Sequence, residues 1–392
     1  MNFSKFFIFI LLIMSEFALS QVTLKVVSLP ANTEKNTRIF MASSLNNWNP
    51  GDEKFELKPD EKGIYSITLP KISEKVEYKL TRGSWETVEG DGNGNQISNR
   101  ILSSEGNNQT ENIRITSWQN PVVKQNTVQQ NVKLLSDSFF IPQLNKERRI
   151  WIYLPPNYTT STKKFPVIYM HDAQNLFNDA TSFSGEWGID ETLNKLFEEG
   201  KQDVIVVGIE NGGESRLDEY SPWKNAKYGG GEGDQYTEFL VKTLKPYIDK
   251  HYRTLKQPKY TGLIGSSMGG LISLYAGVKY PNTFGKLGIF SPAFWFASKD
   301  LNYFIRKNNK KLSNSKFYFV AGKNEMDTMS SEISKAVENL KKEGVPAKNI
   351  KVKIDDYGTH TEGYWRGEFD DAYLWLFCQK KKNRLLAILL FS

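Results

Sequence analysis

Over the first quarter of the chain, apolar residues alternate with polar ones in short runs. Val76, Tyr78 and Leu80 alternate with Glu77, Lys79 and Thr81, the period of a strand with one buried face. Residues 22–28, 38–42 and 64–69 have similar β-branched or aromatic content, and residues 46–51 and 90–95 are turn-rich breaks. The pattern predicts a small all-β sandwich over residues 21–118. Residues 119–133 are polar, contain Pro121 and lack periodicity, which predicts a linker.

From residue 134 the pattern changes. Residues 150–154, 167–170, 204–209, 260–264, 287–290, 317–320 and 350–354 read as strands. Several are near-continuous apolar runs, as parallel strands buried on both faces require. Between them, Tyr236, Phe239, Leu240, Leu244, Tyr247 and Ile248 share one helical face, as do Ile333, Val337 and Leu340. Gly344 and Pro346 end the second of these helices. Alternating strands and helices predict one α/β domain over residues 134–380, a mostly parallel sheet flanked by helices.

Composition narrows the function classes. The 392 residues carry a net charge of +7, but Lys380, Lys381, Lys382 and Arg384 crowd into one C-terminal tail, 381–392 with its flank. The rest of the chain lacks a concentrated basic footprint, which argues against nucleic acid. One cysteine, Cys378, excludes an internal disulfide and any cysteine-based zinc site. Three histidines, His171, His251 and His360, make a multi-histidine metal centre a poor expectation, so no metal and no cofactor are expected. Residues 1–20 read as a signal peptide: Lys5 in a basic n-region, residues 6–14 as the apolar core, and Ala18-Leu19-Ser20 before the cut. Export without disulfides predicts a periplasmic or secreted bacterial protein. The residue after the cut is Gln21 rather than a cysteine, and the apolar run 385–391 is far shorter than the ~20 residues a span needs, so no membrane anchor is expected.

The chemistry concentrates at Gly265-Ser266-Ser267-Met268-Gly269, which lies between a predicted strand and a predicted helix. G-x-S-x-G in that context is a nucleophile turn. The glycines let strand and helix pass closely, the serine hydroxyl projects from the sheet, and the next N–H points into the same space. Ser267 is the candidate nucleophile and the Met268 N–H a candidate oxyanion donor. A serine needs a base, and His360, in the loop after the strand at 350–354, is the one histidine that follows it. The acid is expected after the strand at 317–320, where Glu325 and Asp327 compete; Glu325 is favoured as nearer the strand end. The loop His171-Asp172-Ala173-Gln174-Asn175 should supply the second oxyanion donor, the Ala173 N–H or, behind it, that of Gln174. Arg216 and Trp223 read equally as pocket-lining or structural.

Residues 149–156, 171–177 and 216–223, the turn at 265–269, and His360 with Tyr364-Trp365-Arg366 together resemble the esterase D-like branch of the α/β-hydrolase superfamily. The resemblance covers about residues 134–378. It implies feruloyl, acetyl-xylan or siderophore esterases among the relatives, and an acid three residues after the glycine that ends its strand, which is Glu325. Ala173 stands where relatives often have glycine. Residues 39–42, 45–50, 76–80 and 83–86 resemble a starch-binding-type carbohydrate-binding module. That resemblance implies a glycan site at Trp48, Lys79 and Trp85; the alternative is that a tryptophan belongs to the core of the sandwich. The expected activity is that of a serine carboxylesterase acting on a carbohydrate-linked feruloyl or acetyl ester. A siderophore trilactone esterase and a non-catalytic glycan-binding protein are the alternatives.

Overall fold

The computed structural model describes residues 21–378 apart from 70–71, 73–74, 93–96, 103–108, 120–123, 183–184, 309–310 and 324. The expected signal peptide and the tail at 381–392 lie outside the described residues. The chain divides into two compact units between Lys124 and Gln125.

The first unit is all-β: β1 Val22–Ser28, β2 Ile39–Ser43, β3 Glu56–Pro59, β4 Tyr65–Leu69, β5 Val76–Thr81, β6 Glu89–Gly90, β7 Arg100–Leu102, β8 Gln109–Arg114 and β9 Ser117–Trp118. Seven strands pair in the order β7-β5-β2-β3-β4-β1-β8, and β6 pairs with β9. The alternation in β5 has its physical meaning here: Val76, Tyr78 and Leu80 enter the core with Leu24, Ile39, Met41 and Trp118.

The second unit contains β10 Val132–Ile141, β11 Lys146–Tyr153, β12 Val167–His171, α1 Ile189–Glu198, β13 Ile205–Ile209, α2 Arg216–Glu219, α3 Gly233–Phe239, α4 Lys245–His251, β14 Thr261–Ser266, α5 Met268–Lys279, β15 Lys286–Phe290, α6 Ser298–Arg306, β16 Lys316–Gly322, α7 Met329–Lys342, β17 Ile350–Asp355 and α8 Glu362–Phe377. The sheet order is β10-β11-β13-β12-β14-β15-β16-β17. β10, β11 and β13 pair antiparallel, and every pair from β13 through β17 is parallel. The apolar runs serve two cores at once. Tyr169, Val207, Leu263 and Phe319 pack with α3, α5 and α7 on one face. Ile168, Val206, Ile264 and Tyr318 pack with α1 and α8 on the other. Strands buried on both faces need no polar alternation, which is why they read as continuous apolar runs.

Two elements differ from the sequence expectation. β10 had no strand signal: it is an edge strand with its register shifted between Leu134 and Ser136 and again between Ser136 and Phe139. Such irregularity erases the two-residue period. Part of the expected linker belongs to the second unit. The Gln125 carbonyl accepts from Ala180 N–H at 3.0 Å, Gln129 N–H donates to Asp190 at 2.9 Å, and Asn131 donates to the Leu154 carbonyl at 2.9 Å. A polar segment held by backbone and side-chain hydrogen bonds, with little apolar burial, looks like a linker in sequence.

Candidate active site

The parallel strands β14, β16 and β17 deliver Ser267, Glu325 and His360 from the loops at their carboxyl ends, the edge where open α/β sheets place their sites. Ser267 bridges β14 and α5 with φ 55° and ψ −121°. A non-glycine residue there is strained by about 1–3 kcal/mol, and the surroundings must impose it. They do so through the backbone: Ser267 N–H donates to the Phe290 carbonyl at 2.9 Å, and its carbonyl accepts from Ala293 N–H at 3.0 Å. Gly265 is required by space. A Cβ there would lie 2.7 Å from the Gly269 carbonyl and 2.8 Å from the His171 ring. Met268 opens α5, so its N–H is among the first-turn donors that a helix leaves without an intrahelical partner.

The facing turn follows β12. His171 is buried, with Nδ1 2.9 Å from the Tyr236 hydroxyl. Burial pushes its pKa down to about 4, so the ring is neutral. Asp172 takes the left-handed conformation, φ 58° and ψ 46°. Its carboxylate accepts from Arg216 Nε at 2.7 Å, Arg216 Nη2 at 3.0 Å and Asn211 Nδ2 at 2.7 Å. Burial alone would raise the Asp172 pKa, but the Arg216 guanidinium outweighs it and holds the carboxyl below its ordinary range. Arg216 is thus half of a largely buried ion pair that braces the turn. Ala173, next in the chain, begins the short helical turn Ala173–Asn175. The positive φ falls on Asp172, so a methyl group at Ala173 is compatible with the turn. Gly208 on β13 makes room for it, since a Cβ at Gly208 would lie 2.9 Å from the Ala173 Cβ.

Glu325 and His360 are brought together: His360 Nδ1 lies 2.8 Å from Glu325 Oε2. The Glu325 side chain is 1% exposed and that of His360 is 43% exposed. A buried carboxylate on Nδ1 fixes the tautomer that presents Nε2 as the proton acceptor. The approach depends on two glycines. A Cβ on Gly322, at the end of β16, would collide with the Gly358 backbone, and one on Gly358 would lie 2.5 Å from the Gly322 Cα. The other carboxylate oxygen, Oε1, accepts from Gly322 N–H at 2.5 Å and from Ser291 Oγ at 2.8 Å. Ser291 Oγ in turn accepts from Trp365 Nε1 at 2.8 Å. Sequence reasoning missed Ser291 and the role of Trp365. Their one sequence signal is position: Ser291 directly follows the strand Lys286–Phe290, and Trp365 lies five residues after the histidine, in the first turn of α8.

Trp295 follows Ala293, which is bonded to the Ser267 carbonyl, by two residues, and it is 38% exposed. Its ring meets Tyr228 edge-on at 5.5 Å. Among the described residues, no cluster of three or more His, Cys, Asp or Glu side chains could hold a metal ion. No helix among them is long and apolar enough to cross a membrane.

In the first unit, Trp48 and Trp85 are both partly exposed and outside the core, with ring centroids 6.3 Å apart and planes tilted by 35°. The buried tryptophan of this unit is Trp118. Lys79 differs from the expectation of a presented donor: it is 5% exposed, and its ammonium donates to the Ile97 carbonyl at 2.6 Å. Burial lowers its pKa.

The largely parallel sheet with helices on both faces and the strained serine turn define a hydrolase fold. The Esterase family model, described as Putative esterase, matches residues 141–376, and the chain belongs to that family. The uncharacterized protein YbbA of Bacillus subtilis (strain 168) is 29% identical over 251 residues, 60% of this chain and 94% of that protein. An alpha-amylase of Niallia circulans is 42% identical over 93 residues, 24% of this chain but 7% of the amylase. Among solved structures, the enterobactin esterase of Shigella flexneri with 2,3-dihydroxy-N-benzoyl-glycine aligns over 91% of this chain and 92% of its own, at 13% identity and a TM-score of 0.53. The BES protein of Bacillus cereus aligns over 66% of this chain and 98% of its own, at 20% identity and a TM-score of 0.52. These two likenesses are of fold.

Proposed function

We propose that the chain is a serine carboxylesterase. The carrying observation is the 2.8 Å bond between a buried Glu325 carboxylate and His360, on the sheet edge that also carries the strained Ser267. In this reading Ser267 Oγ attacks the ester carbonyl while His360 Nε2 takes its proton. The N–H groups of Met268 and Ala173 stabilise the oxyanion, and the alcohol leaves with the proton from His360. Water activated by the same imidazole then releases the acid from the acyl-enzyme. Glu325, bonded to Nδ1 at 2.8 Å, holds the imidazole in place through both steps.

The substrate reading is an ester of a carbohydrate-linked acyl group, feruloyl or acetyl. The exposed Trp295, two residues after the Ala293 whose N–H bonds the Ser267 carbonyl, supports the aromatic acyl group, because a planar ring can stack on an indole. The Trp48 and Trp85 pair, with the likeness to a stretch of an alpha-amylase, supports glycan binding by the first unit. The resemblance of residues 1–20 to a signal peptide in sequence supports a reading of export to the periplasm or the medium. The extent of the fold likeness to an enterobactin esterase keeps a siderophore trilactone as the second substrate reading.

The test is hydrolysis of 4-nitrophenyl acetate and methyl ferulate by the native protein and Ser267→Ala. The native protein should cleave at least one ester, and the variant should lose about 10⁴- to 10⁶-fold in kcat. Full activity in Ser267→Ala would refute the mechanism. A native protein inert on both esters but active on a catecholate trilactone would move the substrate to the second reading.

A further inference from the structure

We propose that Ser291 and Trp365 are positioning residues that act on His360 through Glu325. The proposal rests on the reading of Glu325 and His360 as the acid and base of the site. Four groups from separate loops and one helix form a single line. Trp365 Nε1–H donates to Ser291 Oγ at 2.8 Å, Ser291 Oγ–H donates to Glu325 Oε1 at 2.8 Å, and His360 Nδ1–H donates to Oε2 at 2.8 Å.

The direction of this line follows from the donor inventory. An indole nitrogen can only donate, and an ionised carboxylate can only accept. The serine hydroxyl has one proton, and with Trp365 donating to its oxygen that proton goes to Glu325. Gly322 N–H adds a second donor to Oε1 at 2.5 Å. One carboxylate oxygen is therefore held by two donors, which fixes the carboxylate plane and leaves Oε2 to the imidazole.

The setting is built for rigidity. Ser291 is fully buried, with φ 39°, and its N–H is anchored on the Val320 carbonyl at 2.7 Å. A buried residue held at positive φ is strained, and its surroundings must impose that conformation. Trp365 is 4% exposed, packs on Trp187 at 5.6 Å between ring centroids, and meets the His360 ring edge-on at 5.1 Å. His360, the exposed member on a loop, is thereby touched by Trp365 directly and steered by it through Ser291 and Glu325.

The experiment is a set of cycles on kcat and KM for the ester that the native protein cleaves, with active sites counted by covalent titration so that misfolded protein is excluded. Ser291→Ala should lower kcat about 10-fold with KM within about twofold. In a Glu325→Ala background the same change should cost less than about twofold, because nothing is left to position. Trp365→Phe retains an aromatic ring but removes the N–H donor together with the rest of the indole bicycle, so the loss specific to the N–H is read from the cycle with Glu325→Ala. This variant should lower kcat about 3-fold alone and add nothing to Ser291→Ala. Native kcat in Ser291→Ala, or an equal loss with and without Glu325, overturns the proposal. If Ser291→Ala does not fold, the Trp365→Phe arm decides: its kcat loss must disappear in Glu325→Ala, and a loss that persists there overturns the proposal. Ser267→Ala runs alongside. Its full activity would sink the esterase reading, whereas a dead Ser267→Ala with an unaffected Ser291→Ala sinks only the positioning role.

Discussion

A neutral imidazole packed against the glycines that flank Ser267 ties stability to pH. His171 is buried, and its pKa is pushed down to about 4 by burial, against about 6.5 for an unfolded histidine. The unfolded chain therefore takes up a proton near pH 6.5 that the folded chain refuses until about pH 4. Above pH 6.5 the group contributes no pH dependence. Below it, stability falls, by roughly 3 kcal/mol once pH 4 is reached. Guanidinium unfolding at pH 7, 5.5 and 4.5 should show this decline, and His171→Asn should flatten it even if its stability at pH 7 is lower. Parallel curves for the two proteins would mean that another group dominates. At this scale the sequence was informative where chain order carries chemistry: a serine turn, a following carboxylate and a last histidine. It was silent where chemistry depends on tertiary bonds. Trp365 and Ser291 are 74 residues apart, and Arg216 and Asp172 are 44 apart. No local spacing marks such pairs.

Elements were legible in proportion to their burial. Strands β12 to β16 stand out because each feeds two cores, while β10 and β8, at the edges of their sheets, carry mixed residues with little period. Gly322 and Gly358 show the limit from the other side. Each is an ordinary loop glycine in sequence. Only the pairing of β16 with β17, which sets Gly322 opposite Asp355, reveals that the acid loop and the histidine loop meet backbone to backbone. The same logic applies to Asp172. Its left-handed turn was not readable, and it shifted the question of positive φ away from Ala173.

For the whole molecule, membership of the Esterase family and the hydrolase fold agree with the class expected from motifs. The first unit adds a separable question. Two partly exposed tryptophans 6.3 Å apart offer stacking faces for sugar rings, whose C–H faces pack on indoles. Affinity electrophoresis of the full chain in soluble starch or xylan should show retardation, lost in Trp48→Ala and in Trp85→Ala, with ester hydrolysis of a small substrate unchanged. Equal mobility of all three proteins in every glycan would reduce this unit to a spacer. Lys79, implied as a donor by resemblance, is buried with its ammonium on the Ile97 carbonyl, although the alternation in sequence places it off the core face.

In the proposed reaction one serine, activated in place, does the chemistry. The most direct measurement is covalent trapping with a fluorophosphonate, followed by mass spectrometry of the intact protein and its peptides. One adduct per chain is expected, on Ser267, absent from Ser267→Ala and formed more slowly in Glu325→Ala and His360→Ala. An adduct on another residue, or no adduct in a protein that still hydrolyses esters, would contradict this mechanism.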